Sequence, residues 1–310
     1  MSASSLSSRA IIGEFYNTLE QNTGALWVPG VSMLMTSDQE SETYKWLGMA
    51  PAMREWVGGR QAKGFRDNGI TISNKTFEAT LEVLLDELRR DKTGQVMVRV
   101  RELAERTNAH WAKLLSALIV AAEAAVCYDG QYFFDTDHAE GDSGSQSNDI
   151  SYDAAVAAAP TASEMETAIL KSVEQMLGFK DDQGEPMNEE ATRFLVMVPP
   201  SFMAATAAAL KNPVITDAVG SRTNTITSLG GFQFEMVVNT RLGWTTKFAT
   251  LRSDGQTKPF IRQEEEGVTV SAIAEGSELE FRENKHHYGV KAIRNVGYGY
   301  WQHACLTTLT

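Results

Sequence analysis

The sequence is poor in cysteine and contains no long apolar run. Its 310 residues include two cysteines, Cys127 and Cys305, which are too far apart to form a metal-type pair. We expect both to be buried free thiols rather than a disulfide. The longest apolar run, 114–126, carries Glu123 and is shorter than the roughly 20 residues that a helix needs to cross a bilayer. Residues 1–10 lack the apolar core of a secretory signal, so we expect a protein made in the cytosol.

Basic residues are also in short supply. Lysine and arginine together number 28 against 40 acidic residues, which gives a formal net charge of −12. This balance argues against a dedicated nucleic-acid-binding surface, because such surfaces gain affinity from clustered Lys and Arg. The sequence contains no phosphate-binding loop, dinucleotide fingerprint or nucleophile elbow. We therefore expect no enzyme, no cofactor and no metal site.

Apolar spacing predicts the elements of the first half of the chain. A short helix is expected at Ile11 to Glu20, inside an otherwise irregular N-terminal arm. Alternation predicts strands at Ile70 to Ile72 and at Phe77 to Val83, separated by a turn at Asn74. These strands carry many polar side chains, so we expect them to lean on the body of the chain or on a neighbour. Apolar residues at spacings of three and four predict one long helix over 95–126.

The second half begins as an α/β block. Ser163 and Glu166 fit a capping box for a helix over 164–177. The rest of this block is predicted to contain a strand at 194–198, a helix at 201–211, and strands near 232–236 and 245–251. The last 55 residues are predicted to be β-rich, including the segment ELEFREN (278–284). A short strand is also expected in the first half of the chain, at 132–134.

The loop FFDTDHAEGDSGSQSN (133–148) resembles a chemical site in two ways. An EF-hand loop counted from Asp135 would place Ala139 and Gln146 at ligand positions, so the calcium pattern fails. Ser143 lies in a Gly-Asp-Ser-Gly string, but a serine nucleophile needs a histidine base and an acid brought from elsewhere in the chain. The histidines before Ser143 are His110, inside the predicted long helix, and His138, in the same loop. His286 and His287 are adjacent on a predicted strand, so they point to opposite faces and cannot easily ligate one ion.

Several stretches, read together, resemble one family: the major head (capsid) subunit of Mu-like tailed phages. They span most of the chain in the family's order: YKWLGMAPAMREWVGGR (44–60), ISNKTFEATLEV (72–83), YDGQYFFDTDH (128–138) with QSN (146–148), KPFIRQ (258–263) and YGVKAIRNVGYGYWQ (288–302). Two details depart from the usual pattern. The family commonly has an acidic pair where this chain has Arg90-Asp91-Lys92, and a proline where it has Ala139.

The resemblance implies an α+β architecture, the Hong Kong 97-type capsid fold. The implied parts are an N-terminal arm (1–45), an extended hairpin loop region (46–90), a peripheral domain with a spine helix (91–154), an axial α/β domain (155–250) and returning peripheral strands (251–310). The loop after Phe133 and Phe134 then becomes a structural connection, whose polar groups satisfy backbone atoms or neighbours.

The resemblance also implies a function. Copies of the chain would form hexamers and pentamers of an icosahedral phage head around double-stranded DNA, assembled in the host cytoplasm. Expected partners are a separate scaffold protein, a protease, the portal and decoration proteins, with only weak non-specific contact to DNA. An encapsulin-like compartment shell, and more remotely a small α/β enzyme, are the alternatives.

The polar hairpin supplies the candidate contact residues between subunits. These are Arg60, Lys63, Arg66, Glu78 and Glu82. An equally acceptable interpretation of each residue is an ordinary solvated face. Basic residues at 89–106 could touch DNA lightly, although a solvated helix face explains them better.

Overall fold

The computed structural model describes residues 8–22, 24–45, 69–90, 94–217 and 220–310. The helices of these segments are α1 (Ser8–Gln21), α2 (Trp27–Val31), α3 (Leu85–Arg90), α4 (Gln95–Asn108), α5 (His110–Ala121), α6 (Ala162–Leu177), α7 (Met203–Lys211), α8 (Thr225–Ser228) and α9 (Glu278–Glu283). None of these helices is long and apolar enough to span a membrane.

The strands run from the arm to the C-terminus. They are β1 (Ser32–Thr36), β2 (Ser41–Tyr44), β3 (Ile70–Ser73), β4 (Lys75–Leu84), β5 (His138–Ala139), β6 (Ser145–Gln146), β7 (Asp149–Tyr152), β8 (Arg193–Val198), β9 (Val214–Asp217), β10 (Gly220–Thr223), β11 (Gln233–Val238), β12 (Lys247–Arg252), β13 (Phe260–Ile273), β14 (Lys285–Tyr298) and β15 (Ala304–Leu309).

One sheet is built on the two longest strands. Its order is β1-β13-β14-β4, with β13 and β14 antiparallel, β4 antiparallel to β14, and β1 parallel to β13. Helices α1 and α4 cover one face and share an apolar cluster with it that includes Phe15, Val100 and Tyr288. The arm helix is thus tied into the body of the chain, and the predicted helix at 11–20 is confirmed.

A second sheet has the order β11-β8-β12-β15-β7 and packs against α6. Strand β15 lies in this sheet, where it pairs with β12 and with β7. Five of the six β15 side chains are buried. A strand that is apolar on both faces is stable inside a sheet covered on both sides, which explains its position.

The predicted spine helix is divided in two and is shorter than expected. Ala109 separates α4 from α5, although the hydrogen bond from the Ala109 amide to the Glu105 carbonyl (2.9 Å) continues the helical pattern. Helix α5 ends at Ala121 instead of residue 126. The amide of Phe134 donates to the Ala122 carbonyl at 3.1 Å, so the following loop folds back and satisfies the open end of the helix. Residues 132–134 consequently form no strand beyond an isolated bridge.

The hairpin is paired differently from the prediction. Strand β3 pairs with β2 of the arm and not with β4, whereas β4 pairs with β14. Asn74 makes this bend, because its side chain donates to the Gln39 carbonyl (2.7 Å) and accepts from Gln263 (2.7 Å). The polar strand at Phe77 to Val83 therefore rests on the body of its own chain.

Two local predictions were wrong in detail. The capping box of α6 uses Thr161 and Glu164, two residues earlier than expected. Glu166 is buried instead and accepts hydrogen bonds from Arg222 and from the Thr225 amide. The ELEFREN segment forms helix α9 rather than a strand, with the Ser277 hydroxyl accepting from the Glu280 amide at its start.

Gly299 is a position where a single methyl group is expected to be costly. A Cβ atom there would lie 2.5 Å from the Lys258 carbonyl oxygen, and the Gly299 amide donates to Pro259 at 2.7 Å. We expect Gly299→Ala to lower the free energy of unfolding of the dispersed subunit by about 1–3 kcal/mol, measured by urea titration. Gly243→Ala is the control, since its Cβ would meet nothing within 4 Å. Equal stability of the two variants would contradict the prediction.

Candidate functional site

The polar loop at 133–148 is largely buried. His138 and Asn148 have no exposed surface, and Glu140 and Ser143 are 7% and 8% exposed. Strands β5 and β6 close the loop into a small antiparallel pair. Phe133, at its start, stacks on Tyr298 with ring centroids 4.8 Å apart. The loop is therefore held in place by aromatic packing at its start and by the backbone pairing of β5 with β6.

Asn148 organises the hydrogen bonds of this loop. Its side-chain amide nitrogen donates to the carbonyls of Phe133 (2.8 Å) and Trp301 (3.4 Å). The other polar atom of this side chain, Oδ1, is therefore the carbonyl oxygen and acts as an acceptor. That oxygen accepts from the Asp135 amide at 2.9 Å and lies 3.2 Å from Nε2 of His138. Nε2 of His138 must therefore carry a proton and donate it.

A second cluster joins the loop to the turn after α5. Nδ1 of His138 lies 2.6 Å from Oδ2 of Asp129, and the Cys127 sulfur lies 2.9 Å from Oδ1. Burial opposes ionisation of Asp129, but hydrogen bonds from His138 and Cys127 outweigh it and lower the pKa of this carboxyl. Burial and the Asp129 charge raise the pKa of the Cys127 thiol. Among the residues that the structure describes, these three form the group with spacing suited to a metal ion.

Glu140 supports the other side of the loop. Its carboxylate accepts from the Tyr128 hydroxyl (2.7 Å), the Trp301 indole (3.2 Å) and the Gln302 amide (3.4 Å). Burial, followed by the Glu140 charge, raises the pKa of Tyr128. Ser143 binds backbone atoms: its hydroxyl donates to the Gly144 carbonyl and accepts from the Glu140 amide, both at 2.9 Å. These contacts serve the fold, and no hydrogen bond links Ser143 to a histidine in the described part of the chain.

Of the five predicted contact residues, the structure describes Glu78 and Glu82. Arg60, Lys63 and Arg66 lie outside the described residues. Glu82 is exposed and pairs within its own chain, with Lys285 and His287 both at 3.1 Å. Hydrogen bonds from Lys285 and then from His287 lower the pKa of Glu82.

Glu78 differs from Glu82 in its surroundings. It is exposed on β4, and its carboxylate accepts from the Thr80 hydroxyl at 3.0 Å. No salt bridge to Glu78 occurs within the described segments. Since β4 is the edge strand of its sheet, Glu78 is available to a neighbouring molecule.

An exposed apolar group at the end of the β13–β14 hairpin was missed by the sequence reasoning. Phe281 on α9 is 91% exposed, and Ile273 at the end of β13 is 53% exposed. A large aromatic side chain left in water is typical of a contact surface. The signal was present in the sequence as one phenylalanine among charged residues in ELEFREN.

Two further predictions, about the cysteines and the adjacent histidines, agree with the structure. Cys127 and Cys305 are both free and buried, as expected. His286 is buried and His287 is part-exposed, so the two rings do occupy opposite faces of β14.

The fold is that of phage capsid proteins of the Hong Kong 97 type. A chain from the procapsid of bacteriophage JBD30 superposes with a TM-score of 0.55 at 24% identity, covering 97% of this chain and 75% of that chain. The virus-like particle from Pyrococcus furiosus gives a TM-score of 0.52 at 8% identity, covering 97% of this chain and 98% of its own.

The sequence comparison narrows this class. Residues 7–160 and 229–309, together well over half of the chain, match the family described as "Mu-like prophage major head subunit gpT", and the chain belongs to that family. The major capsid protein of Escherichia phage Mu is 34% identical over 108 residues, which is 35% of either chain. The aligned stretches span about a third of the length of the curated relatives.

Proposed function

We propose that this protein is a major capsid subunit, whose copies assemble as hexamers and pentamers into an icosahedral phage head around double-stranded DNA. The observation that carries the proposal is a capsid fold that extends over 97% of the chain, together with the match to the head subunit family. Each contact in a closed shell can be weak, because the shell holds many contacts at high effective concentration.

The exposed features of the fold support assembly. Among the described strands, β4 lies at the edge of its sheet, and α9 presents Phe281 at the end of the β13–β14 hairpin. Both features are costly in an isolated protein, since sheet edges and apolar tips promote association. We propose that the shell subunits use them, with the predicted charged residues of the hairpin, as contacts between neighbours.

The wider set of partners follows from the same proposal. A scaffold protein, a protease, the portal and decoration proteins would act during assembly in the host cytoplasm. The net charge of −12 suits a container that touches its DNA weakly and without sequence preference. A compartment shell of the encapsulin kind remains the second candidate, since the capsid fold is shared with a virus-like particle from an archaeon.

The first experiment measures the mass of the purified chain by light scattering at high concentration, with the same fractions imaged by negative stain. Closed megadalton shells or tubes are expected, alone or after co-expression with a scaffold protein. Nuclease-protected DNA in shells recovered from infected cells would favour a head, and a protein cargo would favour a compartment. A monomer or dimer under all of these conditions would contradict the proposal.

Glu78 provides a test of the edge of β4. Glu78→Gln removes a charge that has no ion pair in the described chain, so we expect the stability of the monomer to change by less than about 0.5 kcal/mol. We expect the yield of particles to fall. Glu82→Gln is the matched control, because it loses intrachain bonds to Lys285 and His287 and should act on the monomer as well. Unchanged particle yield for Glu78→Gln would remove Glu78 from the contact surface.

A further inference from the structure

We propose that Cys127, Asp129 and His138 form a binding site for a zinc ion inside each subunit. One potential ligand atom from each side chain lies within 4.8 Å of the others. The side chains of Asp129 and His138 are 2% and 0% exposed, and Cys127 is 6% exposed. The site is therefore closed to bulk water, as structural metal sites are.

The hydrogen bonds of His138 give the independent reason for a cation. Nε2 donates to the Asn148 oxygen, whose role as acceptor is fixed by the two carbonyls that Asn148 also binds. A neutral imidazole then has only a lone pair at Nδ1, and this lone pair faces the Asp129 carboxylate at 2.6 Å. Two lone pairs at that distance repel. A proton or a metal ion must therefore lie between these two atoms.

The surroundings favour the metal. A histidine that binds a metal ordinarily donates its other ring N–H to a fixed acceptor, and Asn148 supplies one. The Cys127 sulfur is a third potential ligand. A proton shared between His138 and Asp129 would involve only those two side chains, whereas a metal ion binds three or more. A set of one sulfur, one nitrogen and one oxygen suits zinc, whereas magnesium and calcium prefer oxygen ligands alone.

The geometry requires a small opening of the cluster. Zinc bonds of 2.0–2.3 Å at tetrahedral angles place ligand atoms about 3.3–3.7 Å apart. The Cys127 sulfur lies 2.9 Å from Oδ1 of Asp129, and Nδ1 of His138 lies 2.6 Å from Oδ2, the other oxygen of the same carboxylate. Both separations are shorter than the tetrahedral spacing by less than about 1 Å. The carbonyl oxygen of Tyr132 lies 4.0 Å from the sulfur and is the candidate for a fourth ligand. Binding displaces the thiol proton and the proton between His138 and Asp129, and both pass to solvent.

Zinc at this position would fasten the turn after α5 to the loop at 133–148. Cys127 and Asp129 belong to the turn, and His138 belongs to β5 of the loop. The site therefore predicts a subunit whose stability depends on zinc, whatever the state of assembly. Loss of zinc binding would leave the capsid proposal intact, because the two are read out separately by metal content and by particle mass.

The test uses the untagged full chain, stripped with a chelator and dialysed against zinc, magnesium or buffer. We expect about one zinc per chain by elemental analysis and a rise in Tm of about 5 °C with zinc but not magnesium. Cobalt in place of zinc should give the near-ultraviolet absorption of a thiolate-to-cobalt bond. Cys127→Ser keeps a donor to Asp129 but should lose this absorption and the zinc-dependent rise.

Cys305→Ser is the matched control, because Cys305 is also a buried free thiol but lies outside the cluster. It should retain both the absorption and the zinc effect. Should Cys127→Ser fail to fold, the cobalt spectrum of the unmodified chain decides by itself. Absence of the thiolate absorption, with equal Tm in all three dialysis conditions, would overturn the proposal and identify the cluster as a hydrogen-bonded network with a proton between His138 and Asp129.

Discussion

Trp301→Ala is expected to lower the free energy of unfolding of the dispersed subunit by about 3–5 kcal/mol, a large part of the 5–15 kcal/mol typical of a folded domain. Trp301 has no exposed surface and lies in the turn that leads from β14 of one sheet to β15 of the other. Its ring stacks on His138 with centroids 4.0 Å apart. Truncation leaves a cavity between the two sheets.

The indole nitrogen gives a second way to examine the same position. It donates to Glu140 at 3.2 Å, so truncation also removes a donor from a buried carboxylate. Trp301→Phe keeps a ring but loses this donor, and we expect a smaller loss of about 1–3 kcal/mol. Urea titration at low protein concentration measures both variants. A loss of less than 1 kcal/mol for Trp301→Ala would contradict the predicted role.

Phe281→Ala is the control for the alanine variant. Phe281 is 91% exposed, so its removal should change the stability of the dispersed subunit by no more than about 0.5 kcal/mol. If Phe281 is a contact between subunits, as proposed, the same substitution lowers the yield of particles. Trp301→Ala therefore reports on the folding of the subunit, and Phe281→Ala reports on its assembly.

Acidification is expected to destabilise the subunit through His303. Burial, and then the charges of Arg252 and Lys258, lower the pKa of this histidine to about 3. Its Nδ1 lies 2.9 Å from the Asn188 oxygen and its Nε2 lies 2.9 Å from the Thr257 hydroxyl. Because Asn188 also donates its amide to two carbonyls, Nδ1 is the donor and Nε2 accepts from Thr257. A second proton would disrupt that arrangement.

The sign of the pH effect follows from linkage. In the unfolded chain a histidine binds a proton below about pH 6.5, whereas folded His303 does so only near pH 3. The unfolded state therefore takes up more protons between these values, and stability falls as the pH is lowered through this window. At about 1.4 kcal/mol per pH unit, the loss between pH 6.5 and pH 5 is about 2 kcal/mol.

Two variants isolate this contribution. His303→Gln should show a smaller loss of stability between pH 7.5 and pH 5 than the unmodified subunit, by about 2 kcal/mol. His287→Gln, at the surface beside Glu82, should leave the contribution of His303 in place. An identical pH dependence for His303→Gln and the unmodified chain would show that His303 is not the group responsible.

The candidate site illustrates what local sequence could and could not indicate. The loop at 133–148 resembles a chemical site in sequence, yet Asp137 is exposed and Glu140 binds Tyr128 and Trp301. The partners of His138 are Asp129, Asn148 and Trp301. Asn148 belongs to the same loop, but Asp129 lies before it and Trp301 lies in the turn before β15, so the spacing of polar residues within the loop carries no information about these two partners.

The sequence by itself determined the elements that depend on neighbours along the chain. Periodic apolar residues specify α1, α4 with α5 and the strand β4, because the side chains of one face recur at regular intervals. The unbroken apolar run at 194–198 specifies β8. The order of family stretches also sufficed to indicate the capsid fold before any contact was known.

Tertiary structure alone decided which strands meet and where helices end. β3 pairs with β2 instead of β4, and β15 enters the second sheet, because pairing between strands depends on which faces can be buried together. α5 ends at Ala121 because the backbone of Phe134 returns to satisfy its carbonyls. These outcomes depend on hydrogen bonds and burial between distant segments, which exist only once the chain has folded.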